Sequence, residues 1–187
     1  MSGRDAEPRS KFHAISRLFH WGVAALILLQ IPLAYQMMAM SLGPDKFSAY
    51  ALHKSLGMTV FIASALRLVW RSITPPPALP SSMSARERLL AHGAHVALYV
   101  VTLAMPLAGW CYSSAAAFSV SYFGWFTLPD LVPPSETLEV VFEWAHRLLA
   151  YALFLLLGAH LFAAAFHHWV RRDNVLLSML PFIKLRS

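Results

Sequence analysis

From residue 18 to residue 44 the chain carries no Asp, Glu, Lys or Arg. Such a run is long enough to cross the ~30 Å hydrocarbon core of a bilayer as one helix. Three more apolar runs follow. The second, 50–70, is interrupted only by Lys54 and Arg67 near its ends, the third is 90–112, and the fourth, 144–170, is uncharged from Leu148 onward. The whole chain is 58% hydrophobic and 13% charged, with mean hydropathy +0.54. A soluble domain carries about 25% charge. Inside hydrocarbon the backbone must satisfy its own hydrogen bonds, so all four runs are read as helices. A water-soluble bundle would need polar outer faces at helical spacing, and residues 24–29 and 153–157 have none. The expected fold is all-α: an integral membrane four-helix bundle in one membrane domain covering 1–187. It has an arm (1–17), spans at 18–40, 50–70, 90–112 and 144–170, and a tail (171–187). Pro32 and Pro106 are expected to kink the first and third spans.

The connections supply the orientation. Residues 72–84 (SITPPPALPSSMS) form a proline- and serine-rich linker. Residues 113–143 contain Tyr122, Phe123, Trp125 and Phe126, rings suited to the headgroup level, and then Pro129, Pro133 and Pro134. Arg4, Arg9, Lys11, Arg17, Arg71, Arg86, Arg88, Arg171, Arg172, Lys184 and Arg186 fall on one side of the membrane. Only Lys46, Lys54 and Arg147 fall on the other, beside Asp45, Asp130, Glu136, Glu139 and Glu143. Basic residues stay inside, so both termini are expected in the cytoplasm. The first apolar run is too long for a cleaved signal. The net charge of +6 does not indicate nucleic acid, because the cations flank apolar runs and form no stripe. A single cysteine, Cys111, excludes an intramolecular disulfide and any CxxC motif.

Orientation gives each histidine a depth. His20 and His160 share the inner level, while His53 and His146 share the outer level. His146 and His160 are fourteen residues apart, so on one helix they lie ~40° apart around it and ~21 Å apart along it. Two bis-histidine pairs result, one near each surface. Bis-imidazole ligation of haem iron fills both axial positions and leaves electron transfer as the natural chemistry. The expectation is two haem b groups stacked across the bilayer. Gly57, Ala63, Gly109, Ala150 and Gly158 either make room for a macrocycle or serve ordinary close helix packing.

Other side chains keep alternative readings. His92 and His95 can replace inner ligands, touch a haem edge or quinone, or sit at the interface. His167 is almost in line with His160 and ~10 Å nearer the cytoplasm. It reads either as a proton donor beside a quinone or as an interfacial residue next to His168 and Trp169. His13 is expected to be solvated. Arg67 either snorkels or pairs with an inner haem propionate. Lys54 and Arg147 neutralise outer propionates, attract an anionic donor, or snorkel.

These stretches resemble the bacterial cytochrome b561 family: SRLFHW with His20, ALHKSLG with His53, AHGAHVALY with His92 and His95, WAHRLLAY with His146, and GAHLFAAAFHHWVRRDNVLLSMLP with His160 and His167. TPPP after the second run and FGWFTLP before the fourth are also similar, and the resemblance covers about residues 11–182. It implies an inner-membrane cytochrome with His20 and His160 at the cytoplasmic haem and His53 and His146 at the periplasmic one. It further implies electron transfer between a periplasmic one-electron donor and membrane ubiquinone. Some members are described as superoxide oxidases. On that pattern superoxide meets Lys54 and Arg147 outside, and ubiquinone meets Arg17 and His167 inside.

Two other readings compete. One is a cytochrome b relay or anchor for a separate dehydrogenase or a periplasmic redox protein, which the acidic outer connection favours. The other is a haem-free metal or proton transporter, which the lack of Asp and Glu within the spans disfavours.

Overall fold

The structure is a computed structural model that describes residues 11–80 and 82–185. Arg4, Arg9 and Arg186, counted above for orientation, lie outside the described residues. Four long helices follow one another: α1 (Ala14–Ala39), α2 (Pro44–Ile73), α3 (Ala85–Ala115) and α4 (Glu136–Phe166). Each is long and apolar enough to cross a membrane. A two-stranded antiparallel hairpin, β1 (Ser121–Tyr122) and β2 (Phe126–Thr127), lies between α3 and α4. After α4 the chain makes a π-helical turn (His167–Arg171) and a short helix α5 (Val175–Met179).

Most helix ends run past the apolar stretches, because their caps are polar and belong in the headgroup layer. His13 Nδ1 accepts from the Ile15 N–H to start α1. Pro44 and Asp45 open the first turn of α2. Ser84 and Glu87 form a reciprocal capping box on α3. Ser135 accepts from the Leu138 N–H to start α4. Pro32 and Pro106 lie inside α1 and α3, which continue through them.

Consecutive helices are neighbours, with α1 on α2, α2 on α3 and α3 on α4. The residues they bury include many small polar ones, Ser55 and Ser64 of α2 and Thr102, Ser113 and Ser114 of α3, beside Val23, Met58, Val60, Val101 and Leu153. Large apolar side chains such as Leu28, Leu155 and Phe162 point outward. This is the arrangement expected in lipid, where close backbone approach and interhelical hydrogen bonds, not burial of Leu, hold helices together.

The hairpin is tied to α2. Ser55 Oγ accepts from the Phe123 N–H at 2.9 Å and lies within donor range of the Ala51 and Ser121 carbonyls. Phe123 and Gly124 take positive φ, 50° and 75°, as a tight hairpin turn demands. The rings of Tyr122, Phe123, Trp125 and Phe126 cluster there, with Trp125 80% exposed. The C-terminal segment is tied to α1. The Phe12 N–H donates to the Ser178 carbonyl, Trp21 Nε1 to Met179 and Arg17 Nη1 to Pro181.

Ser55→Ala is expected to strand the part-buried Phe123 N–H. The cost is about 1–3 kcal/mol, read as a melting temperature several degrees lower in detergent. An unchanged melting temperature would show that the hairpin does not depend on this hydroxyl.

Candidate functional site

Four helices bring their histidines to two levels. His53 on α2 faces His146 on α4 with ring centres 6.3 Å apart and planes at 77°. His20 on α1 faces His160 on α4 with ring centres 6.2 Å apart and planes at 66°. A metal holds an imidazole nitrogen at about 2.0–2.1 Å, and the ring centre lies about 1.1 Å behind that atom, so two rings facing across one metal have centres about 6.3 Å apart. Both pairs have that separation, and both are supplied by α4 at one end.

The His53–His146 pair borders a cavity of about 430 Å³, a size common for small-molecule and cofactor sites. Its lining includes Gln30, Gly57, Met58 and Gly109 beside the two rings. His146 Nδ1 lies 3.0 Å from the Met105 carbonyl. A carbonyl only accepts, so Nδ1 carries the hydrogen and Nε2 keeps its lone pair for a metal. Gly109 makes this seat possible: a Cβ there would stand 3.0 Å from His146 Nδ1. Gln30 Nε2 donates to the His53 carbonyl at 3.0 Å and closes α1 over the pair. The Nδ1 atoms of His53 and His20 are buried without a hydrogen-bond partner. An orphaned buried polar atom costs about 1–3 kcal/mol, a cost that metal coordination by the same ring offsets. The donor chemistry and the spacing both fit haem iron.

The His20–His160 level holds a third ring. His95 on α3 lies 5.7 Å from His160, centre to centre. His92, one turn earlier, is exposed. Arg67 lies over the Tyr99 ring at 5.1 Å, with Arg71 over the same ring at 6.0 Å. His13 is exposed, caps α1 and lies beside Trp70.

Four further candidate side chains, Lys54, Arg147, Arg17 and His167, are engaged with protein groups. Lys54 Nζ reaches Ser113 Oγ and the carbonyls of Phe118 and Ser119 at 2.8–3.1 Å, and lies 3.7 Å over the Phe118 ring. Arg147 pairs with Glu143 at 2.6 Å. Arg17 donates to the carbonyls of Leu180 and Pro181. His167 Nδ1 meets Asp173 Oδ2 at 2.5 Å. Asp173 and Met105 acquire roles that the sequence reading did not give them, and Gly109, read there as making room for a macrocycle or for helix packing, makes room for the His146 ring. The Met105 carbonyl has no sequence signal. Asp173-Asn174 before an apolar run is a helix-start signal, which explains its bond to the Val175 N–H but not its histidine.

Fold and site together define a class: a multi-pass helical membrane protein with facing imidazoles at two depths. The profile of the prokaryotic cytochrome b561 family matches residues 11–182. Cytochrome b561 homolog 2 of Escherichia coli K12 is 32% identical over 171 residues, 91% of each chain. Cytochrome b561 homolog 1 of the same organism is 29% identical over 92% of this chain and 98% of its own. A protein of Yersinia pestis named probable superoxide oxidase CybB is 26% identical over 91% of this chain and 96% of its own. The chain belongs to the prokaryotic cytochrome b561 family. It is accordingly an inner-membrane electron-transfer protein of a haem b family.

Gly109→Ala is expected to push the His146 ring and shift the α band of the reduced haem spectrum. Gly93→Ala, where an added Cβ meets nothing within 4 Å, should leave the band in place. Identical spectra for both variants would show that the Gly109 seat does not set the ring.

Proposed function

We propose that this chain conducts electrons across the inner membrane through two b haems and delivers them to ubiquinone. His20 and His160 hold the inner haem, and His53 and His146 the outer one. The chain is one membrane domain with both termini in the cytoplasm, an orientation supported by the basic residues of its arm, second connection and tail. The observation that carries this reading is the pair of facing rings, 6.2 and 6.3 Å apart, anchored fourteen residues apart on α4.

Haem supplies a one-electron carrier. Held by His20 with His160 and by His53 with His146, the haems would pass electrons instead of binding a substrate at the metal. The protein's own part is to hold the rings. The Met105 carbonyl sets the tautomer of His146, and Gly109 gives that ring its space. Gln30 ties α1 to the His53 segment. Arg67, stacked on Tyr99 at the inner level, offers a cation to an inner propionate. His95 packs against His160 and stiffens the inner cluster.

The donor is a small one-electron reductant on the periplasmic side, with superoxide the candidate, in keeping with the name of the Yersinia relative. A second reading has support on the same surface. Arg147 is neutralised by Glu143, Lys54 is held by carbonyls, and Glu136 and Glu139 stand at the start of α4. Such a face suits a basic redox protein, for which this chain would be the membrane relay.

Haem-to-protein ratios test the ligands. His53→Ala or His146→Ala should lower the ratio from two to one and spare the inner haem, while His20→Ala or His160→Ala should spare the outer one. Retention of two haems in any of these variants refutes the assignment. Stopped-flow mixing of the oxidised protein with superoxide tests the donor. Haem reduction within the lifetime of superoxide is expected, and oxidised haem at that time removes superoxide in favour of the relay reading.

A further inference from the structure

Residues 89–129 contain no Asp, Glu, Lys or Arg. α3 ends at Ala115, so the last part of this run, 116–129, continues beyond the helix and holds the whole β1–β2 hairpin. Loops in water are polar, and the residues that follow are, with Asp130, Glu136 and Glu139. The hairpin segment is instead as free of charge as the spans.

Its depth agrees with that composition. α2 enters the bundle from the hairpin end, so each residue after His53 lies ~1.5 Å deeper. Two charges mark the base of the hairpin. Lys54 Nζ donates to the Phe118 and Ser119 carbonyls, and Ser119 Oγ donates to Asp130 Oδ2 at 3.0 Å. From there the chain runs inward along α2. Ser55 Oγ accepts the Phe123 N–H, and the Tyr122 hydroxyl lies 3.2 Å from Thr59 Oγ1. Thr59 is ~9 Å deeper than His53 and stands near the middle of the 30-residue α2. Ile62 and Leu66 follow Ser55 and Thr59 by one heptad each, so they share that face of α2. Both are exposed. The apolar surface of the span therefore continues directly below the hairpin.

Non-helical backbone at membrane depth is tolerated only where its polar groups are paired. Ser121 pairs with Thr127 and Tyr122 with Phe126 across the strands. The Trp125 N–H donates to the Tyr122 carbonyl and the Leu128 N–H to the Val120 carbonyl. Val120 is buried and lines the cavity beside Met58. The rings of Phe123, Trp125 and Phe126 stay exposed.

We propose that the hairpin is a re-entrant wedge that dips below the headgroups of the leaflet at its end of the bundle. Phe123, Trp125 and Phe126 lie against phospholipid acyl chains, and Val120 closes the cavity wall behind them. Lipid is the partner because this surface is uncharged, paired within itself and continuous with the exposed apolar face of α2. A soluble protein would have to reach past Lys54 and Asp130 to touch the tip.

The test uses the full haem-loaded protein in liposomes of phosphatidylcholine and phosphatidylglycerol. Cys111→Ser gives a background in which Trp125→Cys carries a single nitroxide label. Labels at Leu155→Cys, on the exposed face of α4, and at Leu131→Cys, beside Asp130, serve as lipid and water references. The label at 125 should collide with oxygen more than with a water-soluble nickel chelate, as at 155. More collisions with nickel than with oxygen, as at 131, place the rings in water, where a soluble partner can reach them, and overturn the proposal. Should the labelled variant lose its haems, fluorescence decides. The emission that native protein has in excess of Trp125→Phe should resist iodide, and quenching of that excess by iodide overturns the proposal.

Discussion

Hydrocarbon offers no hydrogen bond to a polar group, and the rest of this architecture follows from that. The backbone answers with four long helices that satisfy themselves internally. The imidazoles cannot answer alone, since a buried ring with an unused nitrogen is costly. They are brought together instead, α4 lending His146 to α2's His53 and His160 to α1's His20. The bundle is thus organised around polar rings in apolar surroundings. Serines and a threonine lie buried between its helices beside Val23, Met58, Val60, Val101 and Leu153, while many of its leucines and phenylalanines face outward.

The same constraint explains how the non-helical parts are tied down. A loop at the membrane surface keeps its backbone groups paired by borrowing side chains from the helices. Ser55, Ser114, Trp110 and Lys54 all donate to or accept from the segment between α3 and α4. Arg17, Trp21 and Lys11 do the same for the carbonyls at the end of α5. Residues that read in isolation as free surface charge or as interfacial aromatics are therefore structural anchors at both faces. The two surfaces also differ in character. At the hairpin end of the bundle, aromatic rings crowd a short hairpin beside a paired Arg147. At the opposite end, Arg67 and Arg71 share one tyrosine ring next to the His20–His95–His160 cluster.

Much of this was legible in residue order. The uncharged run at 18–44 and the fourteen-residue interval between His146 and His160 need only periodicity and bilayer thickness to be read. The starts of α3 and α4 were less apparent, because Ser84 and Ser135 cap helices that begin well before the apolar runs do. Lys54 illustrates the limit. Its sequence neighbour is His53, which suggests a shared task, yet its ammonium group turns toward Phe118 and Ser119, more than sixty residues away.

Sequence by itself determined the number of long apolar helices, the levels at which the histidines stand and the asymmetry of charge, because each depends on composition and helical pitch within one segment. Tertiary structure decided which carbonyl orients His146, why residue 109 is a glycine, where Arg17 spends its hydrogen bonds and that Asp173 meets His167. Those contacts join distant segments through backbone atoms common to every residue, or through a turn that breaks the helical period, and neither leaves a trace in the order of side chains.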